Sequence, residues 1–320
     1  MSENIEQNEE QITPQSTEEA AVDMRANMGA VKLSFRWVGT QKKLSDNQMQ
    51  QAASSFNATA DLVTASKRLF DTKRESYRAL TTLKSQATSY WRAMTLPFPQ
   101  DGLRLIKQNE VDKFEEKMRD FQERLAQAAS NLQLEYEEIK QNAREKLGDL
   151  YNPNDYPASL ENMFAISWEY PSIDAPDYLL RYNPSLYRQE QKRVQEKFET
   201  AVLMAENAFA EKLEELVDHL IERLTDSTDG GVKVFRKSAV ENFKEFYENF
   251  RHMNVNSNQE LERLIKRAAD ITAGVDVKAL RDRRDLRQNL TTQMSSVKSA
   301  LNQLITDAPA RRVVPMTTPV

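Results

Sequence analysis

The groups able to do chemistry in this chain are few in kind. Cysteine is absent and histidine occurs twice, at His219 and His252. Thiol nucleophiles, thiolate metal sites and disulfides are therefore excluded. His219 follows Asp218 and lies four residues after Glu215, a spacing that puts a carboxylate and an imidazole on one face of a helix. A metal centre there would need further ligands from elsewhere in the fold. The plainer reading is a histidine in a charged, solvated stretch. Glu211, Glu214, Glu215, Asp218 and Glu222 are spaced as the wet side of a helix whose dry side carries Leu213, Leu216 and Leu220. The run Asn152 to Asp155, "NPND", lacks the acidic ladder of a calcium loop and reads as a turn. No phosphate-binding glycine loop, dinucleotide fingerprint, paired-histidine zinc helix or nucleophile elbow occurs. We therefore expect no catalytic residues, no metal and no cofactor, and a chain that is not an enzyme.

The other chemistry on offer is phosphate binding. Residues 278–320 hold eight bases against three acids, a net of +5. Arg281, Arg283, Arg284 and Arg287 are the candidate contacts to nucleic acid or to a partner. Asp282 and Asp285 interleave them and partly neutralise the patch, so an ion-paired, solvated face is the competing expectation.

Those side chains must be positioned by helices. In residues 114–150 the apolar positions Phe114, Met118, Phe121, Leu125, Ala128, Leu132, Tyr136, Ile139, Ala143, Leu147 and Leu150 make ten steps over 36 residues. The mean step of 3.6 residues is that of a straight α-helix. A second long stripe runs from about 185 to 224 with Val194, Phe198, Val202, Ala205, Phe209, Leu213, Leu216, Leu220 and Leu224. The two together predict a long helical hairpin, about 111–150 against 185–224, and an elongated molecule. Shorter helices are expected after the capping pairs Ser45/Gln48, Thr72/Glu75 and Ser257/Glu260, and over about 277–305. The first of these carries Met49, Ala52, Phe56, Ala60 and Val63.

Two stretches alternate with period two instead. Val31, Leu33, Phe35 and Trp37 form one strand near 31–37, and Phe164, Ile166, Trp168 and Tyr170 another near 164–170. They are natural mates, because a lone strand leaves its backbone unsatisfied. "VKVF" after Gly231 and Val313–Val314 are further strand candidates. The fold class is thus mainly α with a small β-sheet. Pro97, Pro99 and Gly102 must stop the helix near Met94, and we read them as a structural hinge joining two helices.

Residues 1–29 carry seven acids and one base, a net of −6 in a chain whose total is −5. That composition, poor in apolar residues, reads as a disordered acidic tail. It would precede a helical body over 30–310, comprising the long hairpin within 111–224 and a C-terminal helical part over 232–306, with a flexible tail at 307–320. No apolar run reaches the roughly 18 residues of a membrane span, and the first residues lack the pattern of a signal peptide. The expectation is a cytoplasmic protein of a bacterial or phage-infected cell with no membrane contact.

The strings "LPFPQDGLRLI", "LGDLYNPNDYP" and "WEYPSIDAPDYL", in that order, resemble a group of uncharacterised helical proteins of bacteria and phages, over about Val31 to Arg312. The resemblance implies no reaction and transfers no site residue. It does imply an association with mobile elements and a protein partner, with a ring-forming ATPase of the AAA type as the candidate. The expected function is a non-enzymatic adaptor or assembly protein acting through helical protein–protein surfaces. The alternative is a nucleic-acid-binding protein that uses the basic C-terminal helix. Homo-oligomerisation is left open by the sequence.

Overall fold

The computed structural model describes residues 16–225, 238–275, 279–280 and 283–307. The chain is mainly α-helical with a small antiparallel sheet, as its periodicities require. It divides into two compact units, one of Met1–Met28, Leu96–Asp101 and Ile173–Val320, the other of Gly29–Thr95 and Gly102–Ser172. The single body expected over 30–310 is therefore two, each with its own core.

The sheet-bearing unit is built on β1 (Met28–Arg36), whose first residue falls in the other unit, and on β6 (Ala165–Glu169). These pair antiparallel with Leu33 opposite Trp168 and Phe35 opposite Ile166, the pairing their shared aromatic pattern predicts. The sheet order is β4-β5-β1-β6, with β4 at Leu96–Pro97 and β5 at Leu103–Lys107. The expected hinge is thus a β-hairpin. Pro97 lies in β4, Pro99 in the turn, and Gly102 takes φ +76°, which only glycine adopts without strain. Helix α3 (Glu75–Ala93) ends with its C-cap at Met94, where the prolines require it to stop.

Helix α3 packs Tyr77, Leu80, Leu83 and Ala87 against Phe114, Met118, Phe121, Leu125 and Leu132 of α4 (Val111–Leu134). The helix expected to run on to residue 150 breaks at Glu135, and α5 covers Tyr136–Leu147. The Glu135 amide donates to Leu132 at 3.1 Å, three residues back, a local tightening that an average spacing of 3.6 cannot reveal. Its carboxylate is meanwhile taken by Arg74 at 3.1 Å and Ser76 at 2.9 Å.

Before α3, the short ribbon β2 (Gln41–Lys43) and β3 (Ser66–Arg68) brackets α2 (Asp46–Ser54). The Ser45/Gln48 capping box forms as read, but α2 stops at Ser54. Phe56 lies beyond its end and is exposed, so the longer apolar stripe is not used.

The second unit is organised on α7 (Pro184–Leu224), begun by Asn183 as N-cap and Pro184 in the first turn. Val194, Phe198, Ala201, Val202 and Ala205 are buried in its first half, Leu213, Leu216, Val217, Leu220 and Leu224 in its second. The second half packs with α8 (Ser238–Met253), α9 (Gln259–Thr272) and α10 (Arg284–Asp307). Phe98 meets Phe198 edge-on at 5.5 Å. Within its own unit α4 buries its stripe against α3, and α7 buries its stripe against helices of its own unit.

The acidic tail needs a correction as well. Thr17–Asn27 forms helix α1, capped by a reciprocal Ser16/Glu19 box, and it packs on α7 with Ala20, Ala21 and Met24 buried. Small residues let the two backbones approach closely, so little apolar area suffices. Arg25 anchors it to Asp174 at 2.9 Å. "VKVF" and Val313–Val314 lie outside the described residues.

Candidate interaction surface

The residues that could do chemistry are mostly spent on structure. Glu215 pairs with Lys212 at 2.7 Å rather than with His219. His219, exposed, accepts from Arg223 at 3.4 Å, and Asp218 pairs with Lys298 at 2.7 Å. No group of metal-binding side chains converges among the described residues.

The basic C-terminal cluster is divided in the same way. Arg281 lies outside the described residues. Arg283 and Arg284 are exposed, and Arg283 is held by Asp285 at 2.6 Å. Arg287 is buried and donates to the Leu280 carbonyl at 3.0 Å, which makes it a support for the start of α10 rather than a surface contact. Of the three described candidates, two present guanidinium groups to solvent, and Asp285 pairs with one of them.

Four polar nodes tie the elements together. In the NPND turn, Asn152 accepts from the Asn154 amide at 3.0 Å, and Asp155 is clamped by Lys42 and Lys67, each at 2.6 Å. Lys67 is buried and also donates to the Leu150 carbonyl at 2.5 Å. Burial alone would raise the Asp155 carboxyl, but the two ammonium groups outweigh it and hold the carboxyl below its usual range. Glu115 of α4 accepts from the Trp168 indole and from the Tyr170 hydroxyl, the latter at 2.8 Å, which fastens β6 to α4. Burial, and then the bond to Glu115, push the Tyr170 hydroxyl up.

Arg104 of β5 caps the end of α3. It donates to the Thr95 hydroxyl and carbonyl, both at 2.7 Å, and lies 5.6 Å from the Trp91 ring centroid. Burial, with Arg92 nearby, lowers it to about 10, so it stays a cation at neutral pH. Glu206 of α7 accepts from the Ser257 hydroxyl, and burial raises its carboxyl. Ser257 is therefore not the cap expected of it; Asn258 takes that role, accepting from the Leu261 amide at 3.0 Å. Of these nodes, Glu115 also borders a surface depression on the outer side of α4. The outer side of α4, with Asp112, Glu116 and Glu123, is a shallow acidic face whose Glu115 and Asp120 are matched within the helix by Arg119, Lys117 and Arg124.

The feature that structure does not use is apolar. Helix α6 (Tyr178–Tyr182) and the first turn of α7 expose Tyr178 at 62%, Leu180 at 53%, Tyr182 at 84% and Leu186 at 37%. Isolated exposed leucines are ordinary, but here four large apolar side chains are exposed within nine residues. Asn183 holds the corner between the two helices by accepting from the Leu186 amide at 3.1 Å and the Ser185 hydroxyl at 2.6 Å. The segment reads from sequence as loop-dense, and nothing in its spacing distinguishes a core stripe from an exposed one. Its one sequence signal is tyrosine density.

Comparison with protein-family models, curated proteins and solved structures finds no match. Among the described residues no helix is long and apolar enough to cross a membrane.

Proposed function

We propose that the chain is a non-enzymatic adaptor or assembly protein that binds a protein partner through the α6–α7 corner. The observation that carries this reading is the exposed cluster of Tyr178, Leu180, Tyr182 and Leu186. Tyrosine is the residue type interfaces favour, since it offers a large rigid contact area with few rotors to freeze. A cytoplasmic setting, a phage or mobile-element context and an AAA-type ring ATPase as partner belong to the same proposal and rest on the sequence resemblance.

The alternative, nucleic-acid binding through the C-terminal helix, is opposed by the placement of Arg287 and by the Arg283–Asp285 pair. Filter retention of mixed-sequence duplex DNA and of single-stranded RNA separates the two. The chain should retain neither at about 150 mM salt, because the burial of Arg287 and the pairing of Arg283 with Asp285 reduce the counterions that binding would release. Submicromolar retention that disappears in R283Q/R284Q would replace the adaptor reading with the alternative. Arg287 is left intact in that variant because its loss would disturb α10.

A further inference from the structure

The exposed corner carries a net positive charge. Residues 177–193 contain four bases (Arg181, Arg188, Lys192, Arg193) and two acids (Asp177, Glu190). Glu190 is already taken by Arg193 at 2.7 Å, and Lys192 reaches Glu196 at 3.8 Å. Arg181 and Arg188 are exposed with no carboxylate partner among the described residues, Arg188 making one bond, to the Pro184 carbonyl at 3.3 Å. Several exposed cations on the long helices are matched, Arg119 by Glu115, Arg124 by Asp120, Lys212 by Glu215 and Lys298 by Asp218, although Arg223 of α7 bonds only His219. Two guanidinium groups without a carboxylate thus lie within the same stretch as the exposed apolar side chains.

We propose that the α6–α7 corner receives an acidic amphipathic helix of another protein, with apolar anchors on Tyr178, Tyr182 and Leu186 and carboxylates on Arg181 and Arg188. This rests on the adaptor reading and adds the chemistry of the partner. Guanidinium groups pair with carboxylates through two parallel hydrogen bonds, and at the rim of an apolar contact such pairs select the partner and speed its arrival. A second copy of this chain fits less well, because a two-fold contact would set Arg181 and Arg188 against themselves. A continuous groove is not required: an exposed corner of two short apolar turns matches the width of one helix face.

The test uses two synthetic peptides of about 20 residues, long enough to form helix. They share a leucine stripe at helical spacing, one with Glu and Gln on the remaining positions and the other with Lys and Gln. The whole chain should bind the Glu peptide at least about tenfold more tightly than the Lys peptide, with the preference shrinking as salt is raised. R181Q/R188Q should abolish the preference, and Y182S/L186S should abolish binding of the Glu peptide. Equal binding of the two peptides, binding of neither, or a preference untouched by R181Q/R188Q would each overturn the inference. So would retention on vesicles of anionic phospholipid that Y182S abolishes, or a dimer in sedimentation that Y182S dissolves. Failure with the peptides leaves the adaptor reading standing, because that reading requires a protein at Tyr182 whatever its charge.

Discussion

Asp155→Ala should cost the sheet-bearing unit about 3–5 kcal/mol, the usual penalty for stranding a buried charge. The reason lies on the other side of the pair. Lys67 is buried, and without Asp155 its ammonium keeps one acceptor, the Leu150 carbonyl. Lys42→Met removes the exposed arm of the same clamp and should cost less than about 1 kcal/mol, as surface pairs do. The pH dependence follows from the sign of the shift. The folded carboxyl titrates below its unfolded value, so its contribution is fully present above the ordinary carboxylate range and is lost as pH falls through the folded value. The gap between wild type and D155A in chemical denaturation should therefore be widest at neutral pH and close in acid. A gap independent of pH, or an equal cost for Lys42→Met, would show that the NPND turn is held by something other than this ion pair.

The second large effect is on binding rather than stability. Y178S/Y182S/L186S should lower retention of the native partner at least about 100-fold, since two or more anchors worth roughly 2 kcal/mol each are removed. The thermal transition should move little, because substitutions of largely exposed side chains usually change stability by no more than about 0.5 kcal/mol. That split is what a structural role cannot produce. If the variant unfolds, these residues support the α6–α7 corner; if it is stable and still retains its partner, the contact lies elsewhere.

What the sequence makes legible is whatever repeats. Period two places β1 and β6 and their pairing, and period 3.6 places α3, most of α4, and α7. Breaks that depend on one residue escape an average, as at Glu135 between α4 and α5. Helix α1 escaped for another reason. Its charge balance resembles that of unstructured chains, while its packing on α7 uses Ala20, Ala21 and Met24, side chains too small to raise the hydrophobic signal. The Ser16–Glu19 spacing is the one local mark of its start. A stripe tells that a face is buried and not against what, so the elements that cover α4 and α7 cannot be read from it. The candidate surface was the least legible of all. Tyr178, Tyr182 and Leu186 carry the same residue types as a core, and only their exposure in the fold sets them apart. The arginine cluster is the opposite case: its charge is visible in sequence, whereas the burial of Arg287 and the Asp285 pairing are not.

The adaptor reading is tested most directly by a photoreactive amino acid installed at position 182 in the cell that makes this protein. A second copy of the experiment at Gln127, exposed on α4, serves as the reference. Irradiation should give a discrete protein adduct from position 182, absent from position 127 and lost when Tyr178 and Leu186 are changed to Ser in the same chain. Adducts to nucleic acid or lipid from position 182, or the same protein adducts from both positions, would contradict the account.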